Sequence, residues 1–347
     1  MKHPFAIVGF GNMGEWHAGH VSASETASLA GIYDIDPERV SYAGEKGYHA
    51  FESLQDVIAS EAETVIVATP NHTHCGIVCE LLAGGKNVIV EKPAALNIGE
   101  LEQMYAAAEK AGKLFSVHQN RRWDSDFCAI RKVIQSGAVG QVFNLESRIH
   151  GSRGIPSKWR RVPECGGGMV YDWGEHLIDQ VLLAYEGMQL KTVECTLNHW
   201  TETAVDDGFY LTLGFENDAR AFIEVNTCNF IAMPRFYLTG SKGSAIITDW
   251  RIPCQVTECF AWNEADVMPE VRDVGITKTM AARDEKTTKT YSIERPKAGG
   301  FEYLDNYCAA MEGKESLLVT KAQALRVQQI IDAAFESAKA GKPVPVC

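Results

Sequence analysis

A strand-like run, Phe5-Ala6-Ile7-Val8, leads directly into Gly9-Phe10-Gly11-Asn12-Met13-Gly14, and the stretch that follows, 15–21, holds no breaker except Gly19 and can open a helix. In that order the glycines have separate uses: the first permits a tight turn, the second lets backbone amides approach a pyrophosphate, and the third lets helix and strand pack closely. Amides at the start of the helix then face the anion. Twenty residues beyond Gly14 a second apolar strand, 29–33, ends in Asp34, whose carboxylate can accept both hydroxyls of an adenosine ribose. Asp34 thus favours NAD over NADP. Asp36 is the competing acid, but Pro37 reads as a first helical position, which makes Asp36 the cap of that helix.

At 347 residues the chain is long enough for two domains, each with its own core. Up to about residue 120, short β-branched strands at 64–68, 88–90 and 114–117 alternate with helices at 77–83 and 98–111, the pattern of a buried parallel sheet. Beyond about 140, strands follow one another at 142–149, 193–198, 209–215, 219–225, 236–238 and 245–247, which implies a largely antiparallel sheet. A helix at 170–185 interrupts them, with Leu177, Val181 and Ala184 on one face, and helices at 301–312 and 320–340 close the chain. The expected fold is an α/β Rossmann domain over 1–120 and an α+β second domain over 121–347 built on a large, mostly antiparallel sheet. Trp123, Trp173, Trp200, Trp250 and Trp262 read as core or interface positions.

Two further patterns carry chemistry. In Glu91-Lys92-Pro93 the proline biases Lys92 toward extended geometry at the carboxyl end of an apolar strand, where ligands bind in an open parallel sheet. In the second, Gly166-Gly167-Gly168 precedes Asp172-x-x-x-His176. The glycines allow close approach by a cofactor ring or a neighbouring strand. Four residues apart on a helix, Asp172 can accept from one imidazole nitrogen of His176, fix its tautomer and leave the other nitrogen free for a proton.

Taken together, Gly9 to Gly14, Thr69-Pro70-Asn71-His72-Thr73-His74, Glu91-Lys92-Pro93 and Gly166 to His176 resemble the ordered motifs of the Gfo/Idh/MocA oxidoreductases over most of the chain. The resemblance implies an N-terminal NAD(P)-binding Rossmann domain and a second domain whose open-faced sheet supports homodimers or homotetramers. It implies that Lys92, Asp172 and His176 act on a hydroxyl of a sugar or cyclitol, and that the bond before Pro93 is cis. It places Gly9, Phe10, Gly11, Asn12, Met13, Gly14, Asp34, Thr69, Pro70, Asn71, His74, Glu91, Lys92, Gln119 and Asn120 on the cofactor. The same resemblance implies that Trp159 and Arg160 reach the nicotinamide side and, with Arg122, Asp172 and His176, the substrate.

The reaction expected is reversible oxidation of a secondary alcohol. Imidazole, with an ordinary pKa of about 6.5, suits the base role without adjustment, whereas a lysine of about 10.4 needs lowering. His176 is therefore read as the base, Lys92 as the group that stabilises the developing alkoxide, and Asp172 as the orienting group, although exchanged roles suit the same residues. Two other classes keep the same glycine loop: a redox-assisted glycosidase or lyase with no net redox change, and a non-catalytic NAD-binding regulator, which needs no Lys92, Asp172 and His176 together.

A net charge of −12 and a pI of about 5.4 argue against nucleic acid as a partner. One stretch departs from that average: residues 121–161 hold nine Lys or Arg against three Asp or Glu, including Arg122, Arg148, Arg153, Lys158 and Arg160, which leaves room for a sugar acid as well as a neutral polyol. Ten cysteines without paired spacing, no room for a leader before the first strand and no apolar run of membrane length point to a cytoplasmic protein. His72, His74, Cys75 and Cys79 match no zinc spacing, and no metal is expected. His17 and His20 read as helix packing or surface residues.

Overall fold

The computed structural model describes residues 2–156, 158–261, 269–277, 280, 283, 285–297 and 299–346, and Trp262 lies outside the described residues. The first sheet is parallel, with the order β2-β1-β3-β4-β5: β1 His3–Val8, β2 Ala27–Tyr33, β3 Thr64–Val67, β4 Asn87–Val90 and β5 Phe115–Val117. Thr64–Val67 is buried at every position, because helices cover both faces. The helices are α1 Asn12–Ala23, α2 Pro37–Glu45, α3 Leu54–Ala59, α4 His74–Ala83 and α5 Ile98–Ala111. Asp36 caps α2 by accepting from Glu38 N, as its place before Pro37 predicts.

Strand order reverses between β1 and β3, so the crevice for a ligand opens beyond their carboxyl ends. The glycine loop leaves β1, and Thr69-Pro70-Asn71 leaves β3, at that crevice.

The second sheet has nine strands, β15-β12-β11-β10-β6-β9-β8-β7-β16, antiparallel except where β6 pairs with β9. In chain order they are β6 Val142–His150, β7 Leu190–Asn198, β8 Gly208–Phe215, β9 Arg220–Asn226, β10 Phe236–Gly240, β11 Gly243–Ile247, β12 Cys254–Cys259, β15 Thr288–Ile293 and β16 Val344–Pro345; a separate hairpin joins β13 Glu270–Arg272 to β14 Gly275–Thr277. One face packs on α6 Ser125–Ser136, α7 Glu175–Ala184 and α9 Lys321–Ala340, with Leu177, Val181 and Ala184 in that core. The other face stays open and carries exposed Phe143 and Tyr210.

The two cores do not divide the chain at one point. From α8 Glu302–Met311 and the residues after it, Tyr303, Leu304, Tyr307, Val319 and Ala324 pack with Phe5, Ile66 and Ile89 in the core of the first sheet, although the strand pattern assigned 301–324 to the second domain. Apolar spacing marks a helix but not the sheet it covers, and here the return crossing decides. Trp200 is 70% exposed, which excludes the core half of its reading as a core or interface position.

Candidate active site

The glycine loop divides its labour as the order predicts. Gly9 has φ +93°, which a side chain rarely adopts; a Cβ on Gly14 would lie 2.0 Å from Gly9 O; and a Cβ on Gly11 would meet nothing, because it would project into open cleft. That cleft, about 940 Å³, is lined by Gly9, Gly11, Asn12, Met13, Asp34, Thr69, Pro70, Asn71, Glu91, Lys92, Trp159, Arg160 and Asp172. Asp34 Oδ2 accepts from Phe10 N at 2.6 Å and Oδ1 from Asp36 N at 2.8 Å. Both oxygens are thereby fixed at the cleft wall with further lone pairs to offer a hydroxyl. The residues present fit a dinucleotide.

Four expected cofactor positions lie elsewhere. The Phe10 side chain is fully buried between Tyr42 and Tyr48, and only its amide serves the loop. His74 is buried under the cleft, where Nδ1 and Nε2 stand 3.0 and 2.9 Å from Pro93 O and Thr69 O and tie the two strand-end loops together. Gln119 is buried against Glu175, and Asn120 faces a different cavity, beside Trp16 and Trp123. Chain order placed these residues near the crevice, but the outward or inward turn of each was undecided.

Lys92 closes the floor of the cleft. The Lys92–Pro93 bond is cis, and Lys92 Nζ donates to Asp172 Oδ1 at 2.9 Å and to Asp172 O at 2.6 Å. Burial works against the charged form of Asp172, but the Lys92 ammonium, with Arg160 and Arg121, outweighs it and holds the carboxyl below its ordinary range.

His176 corrects one expectation. Among the described residues its Nδ1 has no partner, and the carboxylate of Asp172 is committed to Lys92 instead. A charged ammonium is the stronger donor to a carboxylate than a neutral imidazole. The turn that bears Asp172, Val170–Gly174, is wound as a π-helix before α7 continues, a local widening common at functional sites. Burial first, then the positive charges of Lys92 and Arg121, push the imidazole well below its ordinary pKa, so His176 is neutral at pH 7. It is 5% exposed and follows Asp172, which lines the cleft, by one helical turn.

The three glycines answer to three different neighbours. A Cβ would lie 2.3 Å from Leu96 Cδ2 at Gly166, 2.4 Å from Arg160 O at Gly167 and 2.1 Å from Asp206 Oδ1 at Gly168. Asp206 was not foreseen. Its Oδ2 accepts from Met169 N and Val170 N, both at 2.8 Å, and so caps the helix that presents Asp172 and His176. Nothing in the sequence singles out this acid, whose partners lie more than thirty positions away.

Arg122 does not line the cleft. It is buried and bidentate to Asp179, at 2.8 and 2.6 Å, with a further bond to Leu318 O. Its neighbour Arg121 instead lies over Trp173, 4.5 Å from the ring, and its field reaches Asp172 and His176. The basic segment signalled a cation here; which arginine turned toward the site depended on the 3-10 turn at Asn120–Trp123. Arg160 stacks on Trp159, and both line the cleft.

Behind Lys92, His17 Nε2 and His118 Nδ1 converge on Glu91 Oε1 at 2.7 and 3.0 Å, all three residues being buried. Their approach to one oxygen is that of donors to an anion. Burial opposes charge on Glu91, but the imidazoles override it and hold its carboxyl well below the ordinary range. His17 is thus a buried packing residue of its helix, one of the two readings given to it, and not a surface residue.

Residues 4–119 match an oxidoreductase family described by its NAD-binding Rossmann fold, and residues 127–246 match the GFO/IDH/MocA C-terminal domain. An NAD-binding protein from Listeria innocua, known as a crystal structure, is 36% identical with a TM-score of 0.95, covering 99% of each chain. The scyllo-inositol 2-dehydrogenase (NADP(+)) of Bacillus subtilis is 29% identical over 80% of this chain and 77% of its own length. An uncharacterized oxidoreductase of Schizosaccharomyces pombe is 40% identical over 38% of this chain, and the match spans 37% of that relative.

Proposed function

The chain belongs to the Gfo/Idh/MocA oxidoreductase family, with an NAD-binding Rossmann domain, and on that premise we propose that it oxidises a secondary hydroxyl of a sugar, sugar derivative or cyclitol. The observation that carries this reading is the convergence of Lys92 and Asp172 at the floor of a cleft whose far wall is the glycine loop and Asp34. NAD bound in the cleft would supply the hydride acceptor. Asp34 would hold its adenosine ribose and disfavour a 2′-phosphate, which would make NAD the preferred form.

In this reading the Lys92 ammonium, held in place by Asp172, donates a hydrogen bond to the substrate oxygen and stabilises the developing alkoxide. His176, neutral at pH 7, receives the hydroxyl proton. Asp172 therefore orients Lys92 instead of the imidazole. Lys158 and Arg160 on the second-domain side of the cleft accommodate a substrate that bears an anionic group. Incubation of the protein with NAD and a panel of cyclitols, hexoses, uronates and glycosides tests the reading: stoichiometric growth of the reduced nicotinamide absorbance with product is expected, and product without it identifies the redox-assisted alternative.

The reading extends to assembly and location. We propose that the open face of the nine-stranded sheet, with exposed Phe143 and Tyr210, pairs with a second copy as a homodimer or homotetramer, which sedimentation velocity tests. No helix among the described residues is long and apolar enough to cross a membrane. The cysteines from Cys75 to Cys308 are unpaired, which supports a cytoplasmic location.

A further inference from the structure

His118 and Gln119, the two residues that follow β5, each grip the carboxyl group immediately before a residue of the site. His118 Nδ1 donates to Glu91 Oε1 beside Lys92, and Gln119 Nε2 donates to Glu175 Oε1, at 2.5 Å, beside His176. The two grips differ in charge. Glu91 accepts from a second imidazole through Oε1 and from Lys92 N through Oε2, as an anion does. Glu175 is buried, and no ion pair reaches it among the described residues; its Oε2 and the Oε1 of Gln119 are both buried without a partner. Two acceptors face that situation, and one proton resolves it.

We propose that Glu175 carries a proton, that it donates Oε2–H to Gln119 Oε1 while accepting from Gln119 Nε2, and that the resulting acid–amide pair positions His176 against the end of β5. The positioning claim rests on the role given to His176 above; the protonation claim does not. An amide and a neutral carboxylic acid are complementary along one edge, each offering a donor and an acceptor, whereas an amide and a carboxylate leave the amide oxygen facing a second acceptor. A buried carboxylate without a counterion is costly, and protonation removes that cost.

The charged groups around Glu175 act in the same sense or too weakly to reverse it. On its own helix Asp179, one turn on, is a carboxylate held by Arg122. From the cofactor side Lys92 favours ionisation, and from α5 the buried Tyr105 hydroxyl, also unpartnered, faces the same region. Burial, then the charge of Asp179, push the Glu175 carboxyl up to about 8, the same direction in which the geometry points.

Glu175→Gln keeps the shape and supplies a permanent N–H where the acid has its O–H, so it preserves the pair without a titrating proton; Glu175→Ala removes the pair. The infrared difference between wild type and E175Q at pH 7 should contain the C=O band of a buried protonated carboxylic acid, fading as pH rises past about 8. The folded pKa lies above the ordinary 4.5, so this proton stabilises the fold fully below about 4.5 and is lost toward about 8; E175Q should flatten that decline relative to wild type. With scyllo-inositol and NAD, E175Q should keep kcat within about threefold at pH 7 without the loss near pH 8, and E175A should lower kcat by roughly tenfold to a hundredfold with the KM for NAD unchanged. Absence of an acid band removable by E175Q overturns the protonation, and an E175Q as impaired in kcat as E175A overturns the positioning. Failure of every variant and of the wild type on cyclitols would count against the substrate reading alone, because the infrared arm needs no turnover.

Discussion

Lys92 Nζ lies 2.9 Å from Asp172 Oδ1 across eighty positions of sequence and two different sheets. The contact joins the carboxyl end of a Rossmann strand to the first turn of the helix under the second sheet, so each domain contributes one half of an ion pair at the cleft floor. It also settles a competition within the site, because a carboxylate that serves an ammonium no longer orients the imidazole one turn away.

Replacing Lys92 should separate chemistry from binding. Lys92→Ala is expected to lower kcat roughly a hundredfold to ten-thousandfold while NADH affinity, read by fluorescence quenching, stays within a few-fold of wild type. Asp172→Asn should lower kcat less than Lys92→Ala, because the carbonyl oxygen of residue 172 still accepts from Nζ. Near wild-type turnover in Lys92→Ala would place the chemistry elsewhere.

Asp34 makes a prediction about cofactor choice. Its carboxylate is bonded to two backbone amides and forms no ion pair among the described residues, so it should repel a 2′-phosphate. Asp34→Ser is expected to reduce the ratio of kcat/KM for NAD over NADP by at least about tenfold. The two cofactors assayed side by side decide it, and an unchanged ratio moves the ribose contact to another residue.

Gly168 and Asp206 form one mechanical unit. Gly168→Ala would set a Cβ 2.1 Å from Asp206 Oδ1, so one of them must move, and the cap on Met169 and Val170 is disturbed. Asp206→Ala should cost about 0.5–2 kcal/mol for the lost cap, seen as a lower denaturation midpoint. Both variants should reduce kcat more than they change NADH binding, since the helix they anchor carries Asp172 and His176 but not the glycine loop.

The pH profile reports on His176. Burial and neighbouring cations depress its pKa, so the neutral base persists to lower pH than an ordinary imidazole, and the acid limb of kcat/KM should lie below about 6.5. The stability linkage has the same sign: a depressed imidazole contributes above about 6.5 and loses that contribution as pH falls. His176→Asn should remove this acid limb along with most of the turnover; a limb that survives in the variant belongs to another group.

Arg121 and Arg122 should behave as opposites despite their adjacency. Arg122→Ala leaves Asp179 buried and unpaired, at a cost of roughly 3–5 kcal/mol in chemical denaturation. Arg121→Ala should leave the denaturation midpoint nearly unchanged and alter the kinetics, because its field falls on Asp172 and His176.

The sequence by itself determined whatever depends on local order. The glycine loop after β1, the acid at Asp34, the cap at Asp36 and the lysine before Pro93 were all legible because turns, caps and proline constraints act over a few residues. Periodicity likewise gave the parallel and antiparallel halves, since strand and helix burial repeat along the chain. Tertiary structure alone decided which side chains met. It turned Arg121 toward the site and Arg122 away, buried His74 and Gln119, brought Asp206 to Gly168, set His17 and His118 on Glu91 and carried α8 back to the first core. Each of those outcomes depends on the relative placement of elements far apart in the chain, and a hydrogen bond or ion pair has no signature in spacing until packing has fixed that placement.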